Sequence, residues 1–150
     1  MKPHVILVAD AGPGVGWGHA VRQLALAEAL VAKWVPVLFV TRTREALRLD
    51  WPCPVWCVHD VEKASLPDCR VLVYDLPETP ELPDNVAVRG VVRFEDYGSG
   101  CYGPVTADYV VCPNFAAESS VWGSPAFLPF TRSSASVITS IALWRACLQP

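Results

Sequence analysis

The residues of this chain best suited to chemistry stand in one stretch, Gly12-Pro13-Gly14-Val15-Gly16-Trp17-Gly18-His19, directly after an apolar run that ends at Asp10. Glycines let backbone amides come close to a ligand, and the start of a following helix favours negative charge. An imidazole at that helix start feels the positive end of the dipole, which disfavours its protonation. A neutral imidazole can take a proton from water or from a substrate hydroxyl, and His19 is therefore the candidate general base. The same histidine could equally do no more than hydrogen-bond the backbone of the turn. Neither common phosphate motif is present: a dinucleotide fingerprint starting at Gly14 needs glycine where His19 stands, and an ATP-binding loop needs Gly-Lys followed by Ser or Thr.

Five further polar residues sit where a strand should end. Asp10 closes the apolar run His4 to Ala9, and Asp75 closes Arg70 to Asp75. Glu95 and Asp96 follow Val86 to Phe94, while Asn114 follows Ala107 to Val111. In an open parallel sheet, ligands bind outside the carboxyl ends of the strands, so Asp10, Asp75, Asp96 and Asn114 are expected to face one crevice. Capping of loops is the alternative role for Asp75 and Asp96. Cys53-x3-Cys57-x-His59 would share one face of an extended segment. With no evident fourth ligand, and with spacing unlike that of zinc turns, no metal and no cofactor are expected.

The elements that must position these residues follow from pattern. His4 to Ala9, Val35 to Thr41, Val55 to Val58, Arg70 to Asp75, Val86 to Phe94 and Ala107 to Val111 are apolar runs of strand length. From His19 to Lys33 the chain is rich in alanine and leucine. That helix is expected to bury Ala20, Leu24, Ala27 and Val31 and to turn Arg22, Gln23 and Lys33 to water. Arg42 to Leu49 reads as a short helical or turn segment. Pro77, Pro80 and Pro83 forbid a regular helix in the next-to-last of these crossovers, which predicts a thinly covered face and an apolar patch there. Ala135 to Leu148 reads as a final helix with Val137, Ile141, Trp144 and Leu148 in a stripe. Crossovers of about a dozen residues between strands imply a mainly parallel sheet flanked by helices, hence a Rossmann-like α/β domain.

The bulk numbers set the limits. A chain of 150 residues suits one domain, expected to span residues 1–150. Its net charge of −3, with basic residues scattered, builds no positive stripe for nucleic acid. Val5 to Ala9 is too short for a signal sequence or a membrane span, so a cytoplasmic protein without a membrane partner is expected. The six cysteines then read as reduced thiols.

The run Asp10 … Gly16-Trp17-Gly18-His19-Ala20-Val21-Arg22-Gln23-Leu24-Ala25-Leu26-Ala27 resembles the motif of the UDP-sugar hydrolase of pseudaminic acid biosynthesis and its relatives in spore coat polysaccharide synthesis. Val71 to Asp75, Phe94-Glu95-Asp96 and Ala107-Asp108-Tyr109-Val110-Val111 followed by Asn114 are similar to that family's later segments, in the same order. The resemblance implies one half of a GT-B-like architecture and cleavage of a UDP-linked amino sugar, with His19 as the base. It also implies that Asp10, Gly16, Trp17, Gly18, Arg22, Asp75, Asp96 and Asn114 line the sugar side of the cleft or support the loop. The family's nucleotide-binding second domain is expected to be absent. A separate nucleotide-binding chain or self-association would then complete the site. Around Pro125 to Arg132 the family's Gly-x-x-Tyr is replaced by Ser-Pro-Ala-Phe-Leu-Pro-Phe-Thr-Arg, which leaves open a non-catalytic module that binds a sugar or a protein.

Overall fold

A computed structural model describes residues 2–78, 81, 83, 85–94, 107–112 and 127–129. The central apolar runs form strands because they are buried from both sides, where β-branched side chains pack well on a pleated surface, while the shorter run at Val55 is half-exposed. They are β1 (Val5–Ala9), β2 (Val37–Thr41), β3 (Val55–Cys57), β4 (Val71–Asp75), β5 (Gly90–Phe94), β6 (Tyr109–Cys112) and β7 (Phe127–Pro129). Between β1 and β2 runs the helix α1 (Gly18–Val31), and Glu45–Arg48 forms a short 3-10 turn.

All neighbouring strands pair in parallel, in the order β3-β2-β1-β4-β5-β6-β7. This is the Rossmann-like α/β fold that the alternation of apolar runs predicts. Strand order reverses between β1 and β4, and the register sets Ala9 opposite Asp75. Asp10 and Asp75 therefore stand together at the carboxyl edge, at the switch point where open α/β sheets form their crevice.

Side chains alternate across the strands and divide the core in two. Val5, Leu7, Phe39, Val71, Val73, Val92 and Phe94 face α1, which packs Ala20, Leu26, Ala27 and Leu30 onto them. Ile6, Val8, Leu38, Val40, Leu72, Tyr74 and Val91 face the other way and are covered by Val61, Leu66, Cys69 and Leu76. Burying a side chain such as Leu26 stabilises by roughly 1.5–3 kcal/mol, so each face depends on its cover. On the second face no helix is found among the described residues. In the segment 76–89 the prolines contribute to this, because they lack the amide that a helix needs.

Several expectations need correction. The buried stripe of α1 is Ala20, Gln23, Leu26, Ala27 and Leu30, so Leu24 is only half-buried and Gln23 points inward rather than to water. The run from Val86 becomes a strand only at Gly90, because Val86 first closes a turn onto the Pro83 carbonyl. Near the expected patch, Leu76 and Pro83 are turned inward, while Pro80 and Leu82 lie outside the described residues. The large exposed aromatics among the described residues are Trp17, Trp34 and Trp56, the last two beside a groove of about 520 Å³ that Pro36, Pro52 and Pro54 also line. Strand β7 was not expected from pattern. The expected helix Ala135 to Leu148 lies outside the described residues, as do Asp96 and Asn114. No described helix is long and apolar enough to cross a membrane.

The end of α1 carries a local strain. Val35 N–H donates to the Leu30 carbonyl at 3.1 Å and Trp34 N–H to that of Val31 at 2.9 Å, the two bonds of a Schellman motif. The left-handed residue of that motif is Trp34, at φ 61°, where glycine would carry no steric penalty. Its side chain is 93% exposed, so little packing compensates. Trp34→Gly is expected to raise stability by about 0.5–1 kcal/mol, read as a higher urea midpoint at unchanged slope. A lower midpoint would show that the indole contributes packing on the groove side.

Candidate functional site

The loop between β1 and α1 is shaped by three glycines at positive φ, Gly12 (126°), Gly14 (85°) and Gly16 (84°). A Cβ on Gly12 would also crowd the Glu45 side chain, 3.0 Å away. The loop closes on itself: Gly16 N–H donates to the Gly12 carbonyl at 2.8 Å, Gly12 N–H to that of Gly16 at 3.1 Å, and Val15 N–H to Gly12 at 3.2 Å. The amides of Gly12, Val15 and Gly16 are thus engaged within the loop rather than offered to a ligand. Further donors stand in the first turn of α1. Val21 N–H makes the first bond of the helix ladder, onto the Trp17 carbonyl. The amides of Gly18, His19 and Ala20 precede it, no acidic side chain stands in that turn, and Trp17 supplies no side-chain cap. Trp17 is 41% exposed beside this turn, and a Cβ on Gly16 or Gly18 meets no described atom within 4 Å.

One helix face converges on one carboxylate. His19, Arg22 and Gln23 lie at i, i+3 and i+4, a spacing that puts them side by side on α1. All three reach Asp75 at the tip of β4. His19 Nδ1 is 2.7 Å from Oδ1; Arg22 donates through Nε to Oδ2 and through Nη2 to Oδ1, each at 2.5 Å; Gln23 Nε2 donates to Oδ2 at 2.9 Å. The guanidinium of Arg22 lies over the Phe94 ring, 5.5 Å from its centre. Arg22 and Gln23, expected in water, are thus the clamp of the site.

The Asp75 side chain has no exposure to solvent. Burial by itself would push its carboxyl up, but hydrogen bonds from Arg22, then His19, the Arg22 charge and Gln23 together hold it below the usual carboxylate range. Nδ1 of His19 lies 2.7 Å from Oδ1 and 3.0 Å from Arg22 Nη2; an ionised carboxylate only accepts, so the tautomer that satisfies the shorter contact has its proton on Nδ1 and its acceptor lone pair on Nε2. The sequence argument rested on the helix dipole alone. A full negative charge at hydrogen-bond distance adds what the dipole opposes: it fixes the tautomer and stabilises the imidazolium that forms when Nε2 takes a proton. The ring is 17% exposed, enough for contact at one edge.

Asp10 does a different job. Its carboxylate accepts from the Arg42 backbone N–H at 2.8 Å, from Arg42 Nε at 2.7 Å and Nη2 at 2.5 Å, and from Thr41 Oγ1 at 3.3 Å. Arg42 also pairs through Nη1 with Glu78, whose carbonyl accepts from Arg93 Nη1 at 3.0 Å. The Arg42 guanidinium is desolvated, yet its bonds to Asp10 and Glu78 hold it above the usual arginine range. Asp10 therefore supports the loop after β2, and through Thr43 Oγ1, which accepts from Ala11 N–H at 2.9 Å, the start of the glycine loop as well.

Sequence reasoning missed Gln23, Arg42 and Phe94. The i+4 spacing from His19 could have found Gln23. For Arg42, the signal is a polar Thr-Arg-Thr run after a buried strand. The group Cys53, Cys57 and His59 does not converge: Cys53 is half-buried while Cys57 and His59 are exposed, and no described set of three such residues could hold a metal ion. Burial pushes the Cys53 thiol up, away from the thiolate that a metal or a nucleophile requires.

Because the Asp75 carboxyl is lowered on folding, its contribution to stability is present above its unfolded value and is lost as pH falls through the folded one. Asp75→Asn is expected to lose about 3 kcal/mol at pH 7, since it leaves the Arg22 charge without its partner. The gap from wild type in urea midpoint should then shrink from about pH 5 downward; a gap constant from pH 7 to pH 3 would contradict the lowered carboxyl. No family model, curated protein or solved structure matches the chain, so the chemistry of the site rests on this geometry.

Proposed function

We propose that the chain is the acceptor-side domain of a nucleotide-sugar hydrolase or glycosyltransferase-like enzyme acting on a UDP-linked amino sugar, with His19 as its general base. The observation that carries this reading is the pair formed by His19 Nδ1 and the buried Asp75 carboxylate, at the switch point of a parallel sheet and in the first turn of α1. In that arrangement Nε2 removes a proton from water or an acceptor hydroxyl, whose oxygen attacks the anomeric carbon. The bond from that carbon to the diphosphate breaks, and UDP leaves with the electron pair. Asp75 offsets the charge on the ring as it forms, and the α1 amino terminus suits an anionic leaving group. Arg22, pinned between Asp75 and Phe94, holds the carboxylate. A separate nucleotide-binding chain or a second copy supplies the rest of the UDP site.

A second reading is a sugar- or protein-binding module derived from such an enzyme. The self-closed glycine loop favours it, because the engaged amides of Gly12, Val15 and Gly16 leave fewer donors for a diphosphate.

Calorimetry with UDP and UDP-N-acetylglucosamine, followed by assay of UDP release from UDP-linked amino sugars, separates the two. The enzyme reading expects turnover that His19→Ala lowers by about 10²–10⁴-fold, with ligand binding retained. Binding without turnover, indifferent to His19→Ala, favours the binding module. No turnover with any nucleotide sugar, alone or with a nucleotide-binding chain, overturns the enzyme reading.

A further inference from the structure

Among the polar residues of α1, Gln23 is the one set deepest in the core. Its side chain is fully buried in the stripe that packs α1 on the sheet, between Ala20 and Leu26. Nε2 donates to Asp75 Oδ2, which fixes the orientation of the amide, and Oε1 has no hydrogen-bond partner. A buried acceptor left in that state is destabilising and offsets part of what the Nε2 bond to the carboxylate contributes. Leucine is close to glutamine in size, and at least as good a helix former. Asp75 does not require Gln23 for charge balance, because Arg22 already supplies a donor to each carboxylate oxygen. What Gln23 adds is a third, rigid contact from within the core.

We propose that Gln23 is a positioning residue for the His19 base: its amide locks the Asp75 carboxylate so that Oδ1 faces Nδ1 of His19. This rests on His19 being the base of the proposed function. Deviations from local rules that are not repaid in stability concentrate at functional sites, where a shell of neighbours must hold the reacting group within a fraction of an ångström. Arg22 reaches the carboxylate from the rim of the site, whereas Gln23 reaches it from within the core.

The test needs no substrate. Gln23→Leu and Gln23→Met are compared with wild type by NMR titration of the histidine rings, with His19→Ala to assign His19 and with His4 and His59 as internal references. The described charged groups that face His19 are Asp75 from β4 and Arg22 on α1. With the Gln23 amide gone, Oδ1 is no longer held on Nδ1 of His19, so the imidazolium loses part of its partner. The His19 midpoint is expected to move downward in both variants, in the same direction as in Asp75→Asn and by less, with cooperative thermal unfolding retained. An unmoved His19 midpoint, or the upward move that loss of one donor to Asp75 would give with the His19 contact intact, overturns the proposal. A failure of turnover would sink the proposed function and leave this result standing.

Discussion

A carboxylate without solvent, at the end of a buried strand, is the constraint around which the described part of this molecule is arranged. Removing the water around Asp75 is unfavourable unless charged donors replace it. The donors come from one face of α1, so the helix must dock on the sheet in a single rotational setting. That setting places the first turn of α1, and His19 with it, over the switch point between β1 and β4. Packing of Leu26 and Leu30 would tolerate small rotations of the helix, whereas four hydrogen bonds to one pair of oxygens do not.

The two acids at the switch point divide the work. Asp10 and Asp75 sit on adjacent strands, one residue apart in register, yet their partners differ. Asp10 is held by Arg42 and Thr41 from the loop after β2, and Arg42 extends that link to Glu78 beyond β4. Asp10 thus ties together three loops at the carboxyl edge, and Asp75 orients an imidazole. Both carboxylates are answered by an arginine from outside their own strand, the arrangement in which a buried charge is tolerated.

Much of the fold is legible in the chain. Runs such as Val71 to Asp75 are too short for helices and too apolar to face water, and crossovers of a dozen residues leave a parallel sheet as the economical solution. The start of α1 is legible too, because glycine-rich backbone gives way at once to alanine and leucine. Its buried face is not. Alanines occur all round the helix, so the apolar pattern barely distinguishes a stripe through Leu24 from the actual one through Gln23 and Leu26. Polar residues such as Arg22 and Gln23 were assigned to solvent because their common partner, Asp75, lies more than fifty residues away.

From the sequence alone came the parallel α/β architecture, the acid at the tip of each central strand and the histidine at the head of the first helix. These follow from local composition and period, which every short segment carries within itself. Tertiary structure decided which acid meets the imidazole, that the glycine loop engages three of its amides within itself, and that a glutamine stands in the core-facing stripe of α1. Those outcomes depend on the rotational setting of α1 and on contacts between distant segments, and no local pattern encodes either one.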